Sequence, residues 1–132
     1  MKPVLIVDDR EDDRYLLERA LRKLGVNNSI LNFPDGQALT GYLEGPGIYI
    51  ARRTFPSPTV LFLDLEMPRM DGFQILQWLG EHKRMEDFFV VAVTILRHQE
   101  TIKSAYTLGA RSYISKPVQE EELRNLIAVY PA

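Results

Sequence analysis

The chain alternates two rhythms of apolar residues. Five short runs have strand length, at residues 4–7, 29–33, 59–63, 88–93 and 111–115. The fourth, Phe88-Phe89-Val90-Val91-Ala92-Val93, contains no polar residue, which predicts a central parallel strand covered on both faces. Between the runs the apolar spacing becomes helical. Residues 12–24 place Leu16, Leu17, Ala20, Leu21 and Leu24 on one face, and Gly25 is positioned to stop the helix. Pro34-Asp35-Gly36 reads as a turn before a short helix at 37–44. Asp71-Gly72 leads into a helix with Phe73, Leu76 and Leu79 inward. A helix over 99–108 turns Ile102, Ala105 and Tyr106 to one side before Gly109. The last helix, 120–130, turns Leu123, Leu126, Ile127 and Tyr130 inward, and Glu120, Glu121 and Glu122 suit its N-terminal dipole. Five β–α units in succession predict a parallel sheet with helices on both faces. Residues 45–58 form one long connection punctuated by proline and glycine.

The 132 residues suffice for one domain with a real core, and 45% hydrophobic with 26% charged residues is ordinary for a globular protein. Without cysteine there are no disulfides and no thiolate chemistry, which fits a reducing compartment. The apolar stretch at 4–7 is too short for a secretory signal, and no run approaches membrane-spanning length. A cytoplasmic location is expected. A net charge of −2 gives no general attraction to nucleic acid, so no direct nucleic-acid or membrane partner is expected.

The informative residues are those that follow the strands. Asp8 and Asp9 follow the first, Asp64 the third, Thr94 the fourth and Lys116 the fifth. In an open α/β sheet these carboxyl ends line the ligand crevice. Three carboxylates meeting there repel one another unless a cation joins them, which points to Mg²⁺ or Mn²⁺. An aspartate nucleophile, a hard cation, a hydroxyl and an ammonium form a toolkit for phosphoryl transfer to a carboxylate. Singly, each residue has a local explanation as a cap or a turn. All of them together at strand ends are hard to explain that way.

Val7-Asp8-Asp9, Leu63-Asp64-Leu65-Glu66-Met67-Pro68 with Asp71-Gly72, Val93-Thr94 and Ser115-Lys116-Pro117 resemble the receiver domain of bacterial two-component response regulators. The resemblance covers essentially the whole chain. It implies a flavodoxin-like (βα)5 three-layer sandwich with a parallel five-stranded sheet of order 2-1-3-4-5. It implies that Asp64 accepts a phosphoryl group from a sensor kinase histidine. Asp9, Asp64 and the backbone carbonyl of Glu66 would ligate the metal, with Asp8 acting largely through water. Thr94 and Lys116 would bind the phosphoryl group, and the Lys116-Pro117 peptide would be cis. Tyr113 would be the switch aromatic that rotates inward when Thr94 moves. The output surface would be the fourth helix, fifth strand and fifth helix. Leu108, Tyr113 and the helix from Glu120 are candidates there for a homodimer or a downstream protein target. With Arg52-Arg53 and Phe55-Pro56-Ser57-Pro58, the long connection is similar to single-domain regulators of the cyanobacterial phytochrome type.

Three positions depart from the family pattern. Ile95 stands where a small residue is usual, and its bulk would narrow access to Asp64. Glu66 would overhang the site and repel anionic donors. Leu96 is apolar and cannot orient an attacking water. Slow phosphorylation by small donors and slow self-dephosphorylation follow. His98 reads as a surface residue at a helix start. Trp78 reads as packing, His82 has no evident partner, and Met67, Met70 and Met85 carry no message. Residues 10–14 read as a solvated first turn flanking the site, where a kinase could dock.

Two other functions compete. A metal-dependent phosphohydrolase of the haloacid-dehalogenase type also uses an aspartyl phosphate. That pattern requires a second Asp followed by Gly-Thr, and here Glu66-Met67-Pro68 stands instead. A phosphorylation-independent adaptor on the same fold is the other reading. The expectation is a single receiver unit over 1–132 with no output domain in the chain; whether the natural protein continues past Ala132 is left open.

Overall fold

A computed structural model describes residues 2–45, 59–95 and 98–129. Most of the connection 45–58, and also Leu96, Arg97 and Tyr130, lie outside the described residues. The strands are β1 (Val4–Val7), β2 (Ile30–Phe33), β3 (Thr59–Asp64), β4 (Phe88–Thr94) and β5 (Ser112–Ser115). The helices are α1 (Glu11–Lys23), α2 (Gly36–Leu43), α3 (Gly72–Glu81), α4 (Gln99–Thr107) and α5 (Glu120–Val129). All strand pairs are parallel, in the order β2-β1-β3-β4-β5. This is the expected doubly wound sheet.

The period of two along the strands builds two cores. Leu5, Val7, Leu61, Leu63, Val90 and Ala92 face α2, α3 and α4. Val4, Ile6, Phe62, Phe89, Val91 and Val93 face α1 and α5. All seven residues of β4 are buried, as its unbroken apolar run predicts. Side chains cap the starts of α2 and α3. Asp35 caps α2 by accepting from the Ala38 amide at 2.7 Å. Asp71 and Gln74 form a reciprocal capping box at α3.

Several packing expectations shift. Leu16 is 53% exposed; the buried row of α1 runs instead through Leu17 and Leu21, with Ala20 and Leu24 beside it. Tyr106 is 43% exposed, because Ala105 is the residue of α4 that meets the core. In α3, Ile75 joins Leu76 and Leu79 as a fully buried residue. A 3-10 turn at Met85–Asp87 precedes β4. The buried Arg84 anchors it, bonding Asp87 at 2.7 Å and the Leu43 carbonyl at 2.8 Å. His82 does have a partner: its ring stacks on Trp78 with centroids 4.0 Å apart, and Nδ1 lies 2.9 Å from the Trp78 carbonyl. The methionines also have places. Met67 is buried, Met70 packs over Gly36, and Met85 packs over Gly109, which sits at φ +119°.

Gly72 positions the site. A Cβ there would lie 2.7 Å from both the Asp64 carbonyl oxygen and the Leu65 Cα. Only a bare Cα lets α3 start this close behind Asp64. Gly72→Ala is therefore expected to cost about 1–3 kcal/mol of stability, read as a lower urea midpoint at unchanged slope. An unchanged midpoint would mean that the backbone gives way without cost.

Candidate functional site: an acidic crevice at the carboxyl edge of the sheet

The strand register gathers the chemistry. Asp64 is the last residue of β3 and sits opposite Val93, while Thr94 ends β4 opposite Ser115. The Lys116 amide continues this ladder, donating to the Thr94 carbonyl at 3.0 Å. The Asp8 amide likewise donates to the Phe33 carbonyl at 3.1 Å. The backbone thus aims four strand ends at one edge, as the sequence predicts.

Asp8 and Asp64 are buried and Asp9 is exposed; one carboxylate oxygen from each lies within 4.8 Å of the other two. Lys116 reaches into this cluster. Its Nζ lies 2.7 Å from Asp8, 3.0 Å from Asp13 and 3.3 Å from Asp64. Burial and the neighbouring Asp8 charge push the Asp64 carboxyl up to about 7, and Lys116 and the Glu66 amide offset only part of this. For Lys116, burial works against the charged form. Hydrogen bonds to Asp8 and Asp13 and the Asp64 charge outweigh burial and hold the ammonium above the usual lysine range. The crevice therefore has more negative charge than one lysine comfortably balances.

The donor set fits a hard divalent cation. All three candidate ligands are carboxylate oxygens, the chemistry Mg²⁺ prefers, and the crowded charge favours a cation there. Asp8 is held from both ends. Its Oδ1 accepts from the Arg10 amide at 2.9 Å, and its carbonyl accepts from Arg14 at 2.6 Å.

Asp13 belongs to this site and corrects the reading of residues 10–14 as merely solvated. It lies four and eight residues before Leu17 and Leu21, on the buried row of α1. That spacing is the signal that could have found it. Placing Leu16 on the inner face masked it.

Glu66 overhangs the site as expected, and its side chain is engaged there. One carboxylate oxygen accepts from the Thr94 hydroxyl at 2.8 Å, and the other accepts from the Ile95 amide at 3.0 Å. Its own amide donates to Asp64 Oδ1 at 3.1 Å. The Ile95 side chain is 62% exposed. The Lys116-Pro117 peptide is cis. Tyr113 stands apart from the acids on β5, 38% exposed and edge-on to Tyr106 with ring centroids 6.4 Å apart. His98 is an exposed residue at the start of α4. Leu96 lies outside the described residues.

A doubly wound parallel sheet with carboxylates, a hydroxyl and an ammonium gathered at its carboxyl edge defines an α/β protein with an acidic crevice where its strands end. The chain belongs to the response regulator receiver domain family, whose profile matches residues 4–128. It is 34% identical over 128 residues to protein PilH of Pseudomonas aeruginosa, covering 96% of this chain and 95% of PilH. Among solved structures it resembles a response regulator receiver domain from Rhodospirillum rubrum, at 35% identity and TM-score 0.74, over 95% of this chain and 87% of that one. It also resembles the bacteriophytochrome response regulator RtBRR, at 28% identity and TM-score 0.79, over 100% of this chain and 79% of that one. Receiver domains are signalling modules of two-component systems and are generally not enzymes. They bind Mg²⁺ through acidic residues and work with histidine kinases or phosphotransfer proteins. Among the described residues no helix is long and apolar enough to cross a membrane.

Proposed function

We propose that this protein is a cytoplasmic phosphoacceptor switch and that Asp64 takes the phosphoryl group. The observation that carries this reading is Lys116, whose ammonium lies 3.3 Å from Asp64 in a crevice lined by three further aspartates, Asp8, Asp9 and Asp13. An Asp64 carboxylate oxygen attacks the phosphorus of a phosphohistidine on a sensor kinase or phosphotransfer protein. The new P–O bond forms as the P–N bond breaks, and the released imidazole nitrogen takes up a proton. Asp9, Asp64 and the Glu66 carbonyl, with Asp8 acting through water, would hold Mg²⁺, which would neutralise charge on the phosphoryl oxygens. Lys116 pairs with the acyl phosphate, and the Thr94 hydroxyl binds another of its oxygens.

Movement of Thr94 toward the phosphoryl group is then coupled to inward rotation of Tyr113. That rotation shifts the surface made by α4, β5 and α5, where a downstream protein or a second copy of the chain binds. Ile95, Leu96 and Glu66 keep reaction with small phosphodonors and self-dephosphorylation slow.

Incubation with a phosphorylated histidine phosphotransfer domain tests this. Intact-mass measurement is expected to show one added phosphoryl group in wild type, none in Asp64→Asn, and none when the divalent cation is chelated. Equal labelling of Asp64→Asn would place the acceptor elsewhere.

A further inference from the structure

Glu66 touches the acceptor and the switch at once. Its amide is tied to Asp64, which fixes residue 66 beside the acceptor, and its carboxylate spans to the next strand. Each carboxylate oxygen takes a different donor: Oε2 the Thr94 hydroxyl at 2.8 Å, Oε1 the Ile95 amide at 3.0 Å. A forked anion on one hydroxyl and one backbone N–H is the contact pattern that phosphoryl oxygens seek. The geometry points to the Glu66 carboxylate as a built-in occupant of the phosphoryl-oxygen site, holding Thr94 and the Ile95 amide until the phosphoryl group displaces it.

The inference deepens the proposed phosphoacceptor function and rests on it. Two anions cannot share the same two donors, so Glu66 and the phosphoryl group exclude each other. Glu66 is only partly buried, so on leaving it can swing into water at little cost. The contact therefore lets Glu66 set a threshold. The unphosphorylated Thr94 is held in place by an internal acid, and activation exchanges one acid for another. This goes further than charge repulsion at the mouth of the site. Repulsion acts on any approaching anion and needs no contact with Thr94, whereas occupancy depends on side-chain reach.

Side-chain length separates the two. Glu66→Asp keeps the charge but is one methylene short of spanning both donors, and Glu66→Ala removes the carboxylate altogether. The probe is beryllofluoride, a mimic of the aspartyl phosphate, titrated in excess Mg²⁺. Occupancy predicts roughly tenfold tighter binding for Glu66→Ala, the size expected for losing competing charge-assisted hydrogen bonds, and nearly as large a gain for Glu66→Asp. In the free protein, the Ile95 amide proton is expected to move upfield and exchange faster in both variants. A gain in Glu66→Ala alone would leave only charge repulsion and overturn the occupancy. Equal or weaker binding in Glu66→Ala, or an Ile95 amide unmoved by either variant, would overturn it too, with the phosphoacceptor function intact. Absence of beryllofluoride binding in wild type and both variants would sink the phosphoacceptor function and the occupancy together.

Discussion

Replacing Asp64 by Asn is expected to stabilise the metal-free protein at neutral pH while it abolishes phosphoryl uptake. The Asp64 carboxyl is 2% exposed, and burial together with the Asp8 charge raises its pKa to about 7. In the unfolded chain an aspartate titrates at about 3.9. Between these values the folded chain binds more protons than the unfolded one, so this group's contribution to stability falls as pH rises. The fall is complete above the folded pKa. Asn carries no charge and escapes it. The gain is therefore absent below about pH 4, grows through the acid range, and levels above pH 7 at about 1–3 kcal/mol. For a domain of this size that is a rise in Tm of about 3–10 °C. Thermal melts of both proteins at pH 4 and pH 8 in chelator provide the check. Mg²⁺ is expected to narrow the difference, because it stabilises only the protein with the full set of acids. An Asn variant less stable than wild type at pH 8 would show that Lys116 already balances the crevice.

Lys116→Met changes the same balance in the opposite direction. Lys116 faces Asp8, Asp13 and Asp64 together, and its ammonium is held charged in spite of burial. Removing it leaves buried Asp8 and Asp64 with no cation. A loss of about 2–4 kcal/mol in chelator at neutral pH is expected, within the range for breaking one partner out of a buried charge cluster. Combining it with Asp64→Asn is expected to cost less than the sum of the two single effects, since one of the stranded charges is gone. Additive effects would mean that Lys116 acts on Asp8 and Asp13 alone.

The sequence revealed most of this site because each acid follows its strand directly. Asp8, Asp9, Asp64, Thr94 and Lys116 could be placed at one edge by counting strands, and the parallel register aligns them there. The fold was legible for the same reason. The apolar run of β4 fixes a central strand, and helical spacing fixes the rest. What escaped depended on details of helix phase and side-chain reach. A helix face is ambiguous by one residue when leucines are adjacent, which draws Leu16 to the inner face beside Leu17 and hides Asp13. Size alone favours Tyr106 for the inner face, although the smaller Ala105 makes the contact. By position alone Glu66 is a charge near the mouth of the site. Its grip on Thr94 and Ile95 joins residues 28 and 29 positions apart, a pairing that no local pattern encodes.

A working switch requires that Asp64 and the surface at Tyr113 be coupled. The most direct test is an amide NMR titration, first with Mg²⁺ and then with beryllofluoride. Mg²⁺ is expected to shift the amides of Asp9 and Asp64. Beryllofluoride should then produce shifts at Thr94 that spread to Tyr113 and α5. Shifts confined to Asp9, Asp64 and Thr94, or a response to neither ligand, would contradict that coupling.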